Sequence, residues 1–98
     1  MRSGKQRIAK KYRISGRVQG VGFRYFAERA AARLSLGGYV KNCSDGTVEV
    51  YAIGESTALE AFRLQLADGP RGARVLGIDE SDEAVNDRYR IFMIQGGW

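Results

Sequence analysis

The tightest constraint in this sequence is a change of hydrophobic period across a short glycine-rich turn. From Lys11 to Val18, the residues Tyr12, Ile14, Gly16 and Val18 alternate with Lys11, Arg13, Ser15 and Arg17, which is the period of two expected of a strand with one buried face. Beyond the turn, apolar residues recur at Phe23, Phe26, Ala27, Ala30, Ala31 and Leu34, the spacing of one helical face. Gly37-Gly38 then stands where a C-cap glycine would end that helix. A strand that feeds a helix in this way folds the helix back onto its own sheet.

The remaining elements follow from the same two periods. Tyr39 to Cys43 and Thr47 to Ile53 are β-rich runs joined through Ser44-Asp45-Gly46, and they are expected to form a hairpin. Ser56 or Thr57 is placed to cap a second helix, with Thr57-Ala58-Leu59-Glu60 as a capping box and Leu59, Phe62 and Leu66 on the buried face. Gly69-Pro70 ends it. Strands are expected at Arg74 to Asp79 and Arg88 to Ile94, on either side of a solvated acidic stretch from Asp79 to Asp87. The order is β-α-β-β-α-β with a short extra C-terminal strand. Two helices with apolar stripes and a mainly antiparallel sheet with one apolar face bury each other in an α+β, ferredoxin-like two-layer sandwich.

Size and charge narrow the possible functions. With 98 residues the chain holds one domain, and no apolar run reaches the roughly 18 residues a membrane-spanning helix needs. The basic stretch from Met1 to Lys11 is not followed by an apolar segment, so it does not read as a secretion signal. One cysteine, Cys43, cannot form an internal disulfide, and a cytoplasmic location is expected. The net charge of +5 is carried by the start of the chain, where Arg2, Lys5, Arg7, Lys10, Lys11 and Arg13 have no acid among them. The other ten basic residues are outnumbered by eleven acidic ones. Residues 1–10 therefore read as a basic, solvated arm and residues 11–98 as the domain.

Nucleic-acid binding is not expected of a domain without a basic face. Tyr12, Tyr39 and Tyr51 could offer rings to stacked bases, but the RNA-recognition octamer with its spaced aromatics is missing from Thr47 to Ile53. Asp79, Glu80, Asp82 and Glu83 lack the spacing of an oxygen-ligand loop, so no metal and no cofactor is expected.

The segment Gly16-Arg17-Val18-Gln19-Gly20-Val21-Gly22-Phe23-Arg24 joins strand to helix, a place where backbone N–H groups and the positive helix end converge. Such a point favours a phosphate-sized anion. Arg24, in the first helical turn, adds a planar fork and a charge that does not titrate near neutral pH. Other phosphate loops fail on spacing. The lysine and hydroxyl of a P-loop are missing, and Tyr25 stands where a dinucleotide fingerprint needs its third glycine. Taken alone, the glycines also read as a plain tight turn.

This first segment resembles the first signature of the acylphosphatase family. The second signature is matched by Gly38-Tyr39-Val40-Lys41-Asn42-Cys43-Ser44-Asp45-Gly46-Thr47-Val48 with Gly54 beyond it. The similarity runs from about Lys11 to Gly77, and more loosely through the final strand. The resemblance implies a phosphate held by Arg24 and by the backbone amides of Arg17, Val18, Gln19, Gly20, Val21 and Gly22, with Asn42 orienting the attacking water. It also implies an enzyme that splits acyl phosphates such as carbamoyl and acetyl phosphate into a carboxylate and inorganic phosphate, without metal or phosphoenzyme. A monomer is expected, although no residue pattern specifies the oligomeric state. Cys43 departs from the threonine common in relatives, and the ending Gln95-Gly96-Gly97-Trp98 is unlike theirs.

The chemistry agrees with so short a residue list. A carboxylate is a good leaving group that needs no general acid, so the absence of histidine is no obstacle. A loose phosphoryl-transfer transition state asks for positioning and for donors aimed at the equatorial oxygens. An asparagine amide can both accept from and donate to water, although a turn-initiating asparagine is the ordinary role for such a residue. Cys43 as a phosphatase nucleophile would need an arginine six residues on, and that position is Glu49.

Overall fold

The structure, a computed structural model, describes residues 6–96. Strand β1 (Arg7–Arg17) is an inner strand, antiparallel to β3 (Val48–Glu55) on one side and to β4 (Arg74–Glu83) on the other. Strand β2 (Gly37–Asn42) extends the sheet beyond β3, and β5 (Phe92–Ile94) adds a short parallel edge. The order is β4-β1-β3-β2-β5. Helices α1 (Phe23–Arg33) and α2 (Ser56–Asp68) share one buried cluster with Tyr12, Ile14, Val40, Val48 and Val50 from the sheet. The fold is thus the ferredoxin-like two-layer sandwich that the alternating periods predict. None of its helices is long and apolar enough to cross a membrane, among the described residues.

Aromatic rings tie the layers together. Tyr12 on β1 meets Phe62 on α2 edge-on at 6.2 Å between centroids, and Phe62 meets Phe92 on β5 at 5.8 Å. Burial raises the Tyr12 hydroxyl to about 12, and its position within the core removes it from any base-stacking platform. Tyr39 and Tyr51 lie on the opposite sheet face with Tyr89, in a smaller cluster around Ala9 and Ile53. The three tyrosines named as stacking candidates therefore do not share a surface.

Several expected boundaries move, each for a physical reason. Residues 7–10, read as part of a basic arm, belong to β1, where Lys10 stands 2.6 Å from Asp82 and 3.2 Å from Glu80 on β4. The acidic stretch is the partner of that basic segment, and β4 accordingly runs on to Glu83. Residues 1–5 of the expected arm lie outside the described residues. Gly37-Gly38 does not cap α1, which ends at Arg33 and reverses through Ser35 at φ 58°. Both glycines sit in β2 because a side chain on Gly37 would collide with the Tyr89 carbonyl, and one on Gly38, at φ 136°, with the Tyr51 carbonyl. The capping box at Thr57 is not formed, since β3 runs directly into α2 with Glu55 at the N-cap and no side-chain cap. Finally, β5 is shorter than the Arg88–Ile94 run, because the chain turns at Asn86 to Tyr89 through a backbone bond of 3.1 Å.

Candidate active site

The loop between β1 and α1 is pinned at both ends by buried side chains, Val18 and Phe23, each 1% exposed. Between them Gly20 and Gly22 take positive φ, 77° and 78°, a conformation in which other residues are strained. An added Cβ at either glycine would meet nothing within 4 Å, so backbone conformation and not space explains their presence. Left-handed residues in such a turn aim successive N–H groups at a common point. Helix α1 carries no acid in its first turn, so nothing there offsets its positive end.

Arg24 projects from that first turn and is half-buried. Its Nη1 donates to the Gln95 carbonyl at 3.0 Å, which fixes the guanidinium against the segment after β5. A guanidinium carries five donors, so this bond leaves most of the fork available to an anion.

Asn42 ends β2 and is paired with Val48 on β3. The turn that follows is closed by Cys43 N–H donating to the Thr47 carbonyl at 2.8 Å and Gly46 N–H to the Cys43 carbonyl at 3.1 Å. Asp45 accepts from the Thr47 hydroxyl at 2.7 Å and its N–H at 3.0 Å, while Arg13 donates to both side chains. The Thr47 hydroxyl bond, then its N–H, and the Arg13 charge hold the Asp45 carboxyl below its ordinary range.

The loop and the turn are joined through Gln19. Its Nε2 donates to the Cys43 carbonyl at 2.8 Å and to the Thr47 carbonyl at 2.9 Å. Sequence reasoning offered Gln19 only as a backbone donor. No local signal shows the clamp, because its partners lie 24 and 28 residues away. The Cys43 carbonyl is an acceptor in this network, and its thiol is a half-buried free cysteine.

One cleft of about 690 Å³ brings together Val18, Gln19, Gly20, Gly22, Arg24 and Asn42. Arg17 and Val21, also expected there, are not on its wall. Arg17 is exposed and paired with Arg74 at the end of β1, and Val21 packs against the core. The wall is completed by Phe23, Tyr25, Ile94 and Gly96, which the sequence reading did not name. Ile94 and Gly96 reach it only because β5 pairs with β2 and carries the C-terminal segment past Arg24. No group of three or more His, Cys, Asp or Glu side chains is arranged as metal ligands among the described residues. The cleft thus brings together a cation held against the Gln95 carbonyl, a glycine-rich loop and a carboxamide on a separate strand, a set suited to holding a phosphate and a water molecule side by side.

The chain is similar to known proteins along most of its length. A family model described as Acylphosphatase matches residues 10–94. An acylphosphatase of Koribacter versatilis is 44% identical over 89 residues, covering 91% of this chain and 81% of its own. One of Solibacter usitatus is 47% identical over 85 residues, covering 85% and 88%. The crystal structure of acylphosphatase from Bacillus subtilis superposes with a TM-score of 0.87 at 35% identity, over 91% of this chain and 99% of that one. With the family model spanning nearly the whole domain, and relatives this similar along most of their length, the chain belongs to the acylphosphatase family, hydrolases that release inorganic phosphate from acyl phosphates.

Proposed function

We propose that the cleft hydrolyses acyl phosphates by direct attack of a water molecule, oriented by Asn42, on a phosphorus atom held by Arg24 and the loop amides. The observation that carries this reading is the convergence of Arg24, the glycine loop and Asn42, from three different elements, on one cleft. Arg24 and the amides neutralise the equatorial oxygens, where charge accumulates in a loose transition state. The amides of Val18 to Gly22 form the centre of the cradle, with Arg17 at its outer end. The Asn42 carboxamide oxygen accepts a hydrogen bond from the water and steers its oxygen in line with the scissile bond. As a weak base it positions the water and does not ionise it.

The water oxygen forms the new P–O bond while the bond to the acyl oxygen breaks. The carboxylate departs with the electron pair, and the proton lost from water passes to product phosphate or solvent. Because the departing carboxylate is a weak base, no side chain has to protonate it. No step calls for a metal or for the Cys43 thiol.

The test is hydrolysis of benzoyl phosphate, with p-nitrophenyl phosphate as control, in buffer containing EDTA. Turnover of the anhydride alone is expected. Equal turnover of the phosphate ester, or abolition of activity by the chelator, would overturn the mechanism.

A further inference from the structure

A phosphate and one water molecule, whose share of liquid volume is about 30 Å³, occupy a small part of this cleft. At about 690 Å³ it is the size of a site for a whole small molecule. The unassigned part of its wall is apolar. Val18 and Phe23 are core residues that show the cleft only an edge, each 1% exposed. Ile94 is half-buried, and Tyr25 is 63% exposed.

Tyr25 stands out on its own helix. Phe23 and Phe26 on either side pack against each other, with ring centroids 5.9 Å apart, whereas Tyr25 lies on the cleft wall and open to solvent. An aromatic ring in that position contributes little to the core. A flat surface beside a bound phosphate can instead cover the group that the phosphate is attached to.

Charge on the wall points the same way. Among the described residues lining the cleft, Arg24 is the one charged side chain. Lys41 is adjacent to Asn42 in sequence, but its ammonium lies over the Tyr39 ring at 5.7 Å and 3.8 Å from Glu49, on the opposite face of the sheet. An acyl group with a carboxylate of its own would find no second cation on this wall. A neutral, flat acyl group would find a ring, a branched aliphatic side chain and water to displace.

We infer that Tyr25, with Ile94 beside it, is the acyl-group wall of this site and directs the enzyme toward acyl phosphates with an aromatic acyl group over those with a small one. This rests on the phosphate end of the substrate lying where the proposed function puts it. Tyr25 acts on the acyl group by contact and takes no part in the bond changes at phosphorus.

The experiment compares kcat/KM for benzoyl phosphate and acetyl phosphate in the wild type, Tyr25→Ala and Tyr25→Phe, with inhibition by inorganic phosphate measured in each. The wild type should prefer benzoyl phosphate, and Tyr25→Ala should shrink that preference by about fivefold to tenfold, mainly through KM, as loss of an aromatic contact does. Tyr25→Phe should retain the preference, because the ring and not the hydroxyl makes the contact. Phosphate inhibition should stay within about twofold in both variants, since Arg24 and the loop are untouched. An unchanged preference in Tyr25→Ala would overturn the inference, and so would a parallel loss of phosphate inhibition, which would place Tyr25 in the cradle. If the wild type turned over neither substrate, the proposed function itself would fall, an outcome distinct from the other two.

Discussion

Two clefts of similar size lie on opposite faces of the same sheet, and they differ in what their polar atoms are doing. The one on the open face, about 560 Å³, is bordered by Tyr39, Tyr51, Tyr89 and Lys11. The hydroxyls of Tyr39 and Tyr51 on its wall are already engaged by neighbours. The Tyr51 hydroxyl donates to the Ala84 carbonyl and accepts from the Asn86 N–H, holding the β4–β5 connection in place. The Tyr39 hydroxyl donates to Glu49 at 2.6 Å, and burial together with that bond raises its pKa well above the ordinary tyrosine value. Glu49 in turn faces Arg13 and Lys41. On the helix side, Arg24 has one donor engaged by the chain, and Gly20, Gly22 and Asn42 line the cavity. Cavity volume does not separate a structural recess from a site; what the polar groups on each wall hold in place is more telling.

Substitutions in the two clefts should therefore differ in kind. The largest effect is expected from Arg24→Ala, with kcat/KM falling about a thousandfold or more in steady-state assays. Arg24→Lys should be nearly as poor, because an ammonium lacks the planar fork. An active lysine variant would show that charge alone suffices. Asn42→Ala should lower kcat by about a hundredfold and leave phosphate inhibition in place, since the amide acts on water. Loss of phosphate affinity with retained turnover would reverse the roles of the two residues.

Gln19→Ala cuts the clamp between loop and turn. It should reduce kcat/KM by about tenfold and cost about 1 kcal/mol of stability, a Tm drop of about 4 to 8 °C in a domain of this size. Activity lost without any change in Tm would point to direct contact with substrate. Tyr51→Phe, on the open face, should cost a similar 1 kcal/mol in denaturant titration while activity stays within about twofold. A large loss of activity there would erase the distinction between the faces.

The smallest effect near neutral pH belongs to Tyr12, whose hydroxyl is pushed by burial from the ordinary tyrosine value of 10.0 up to about 12. The folded state holds this proton more tightly than the unfolded chain. Its contribution is therefore fully present below pH 10 and is lost as pH rises toward 12. Thermal melts between these limits should show the decline, and Tyr12→Phe should flatten it. An equal slope in the variant would assign the decline to Tyr39 and other groups.

Much of the site could be read from the chain because its chemistry is local. Gly20 and Gly22 have to be glycines for their left-handed conformation, and Arg24 follows within one turn, so loop and cation are specified by a short segment. The rest depends on contacts across the chain. The Gln19 clamp reaches the turn after Asn42, and the Gln95 carbonyl reaches Arg24 from 71 residues away. The basic character of residues 7–10 suggested solvent because the acids that neutralise it stand on β4.

By itself, then, the sequence determined the two-layer sandwich and the glycine-rich turn that leads into Arg24, because hydrophobic period and glycine conformation act over neighbouring residues. Tertiary structure decided where β1 begins, which glycines serve close strand packing, and which side chains complete the cleft. Those choices depend on sheet order, and pairing β5 alongside β2 is what brings Ile94 and Gln95 beside Arg24. No local pattern encodes that neighbour, since strand order is fixed by the burial of the whole sheet against both helices.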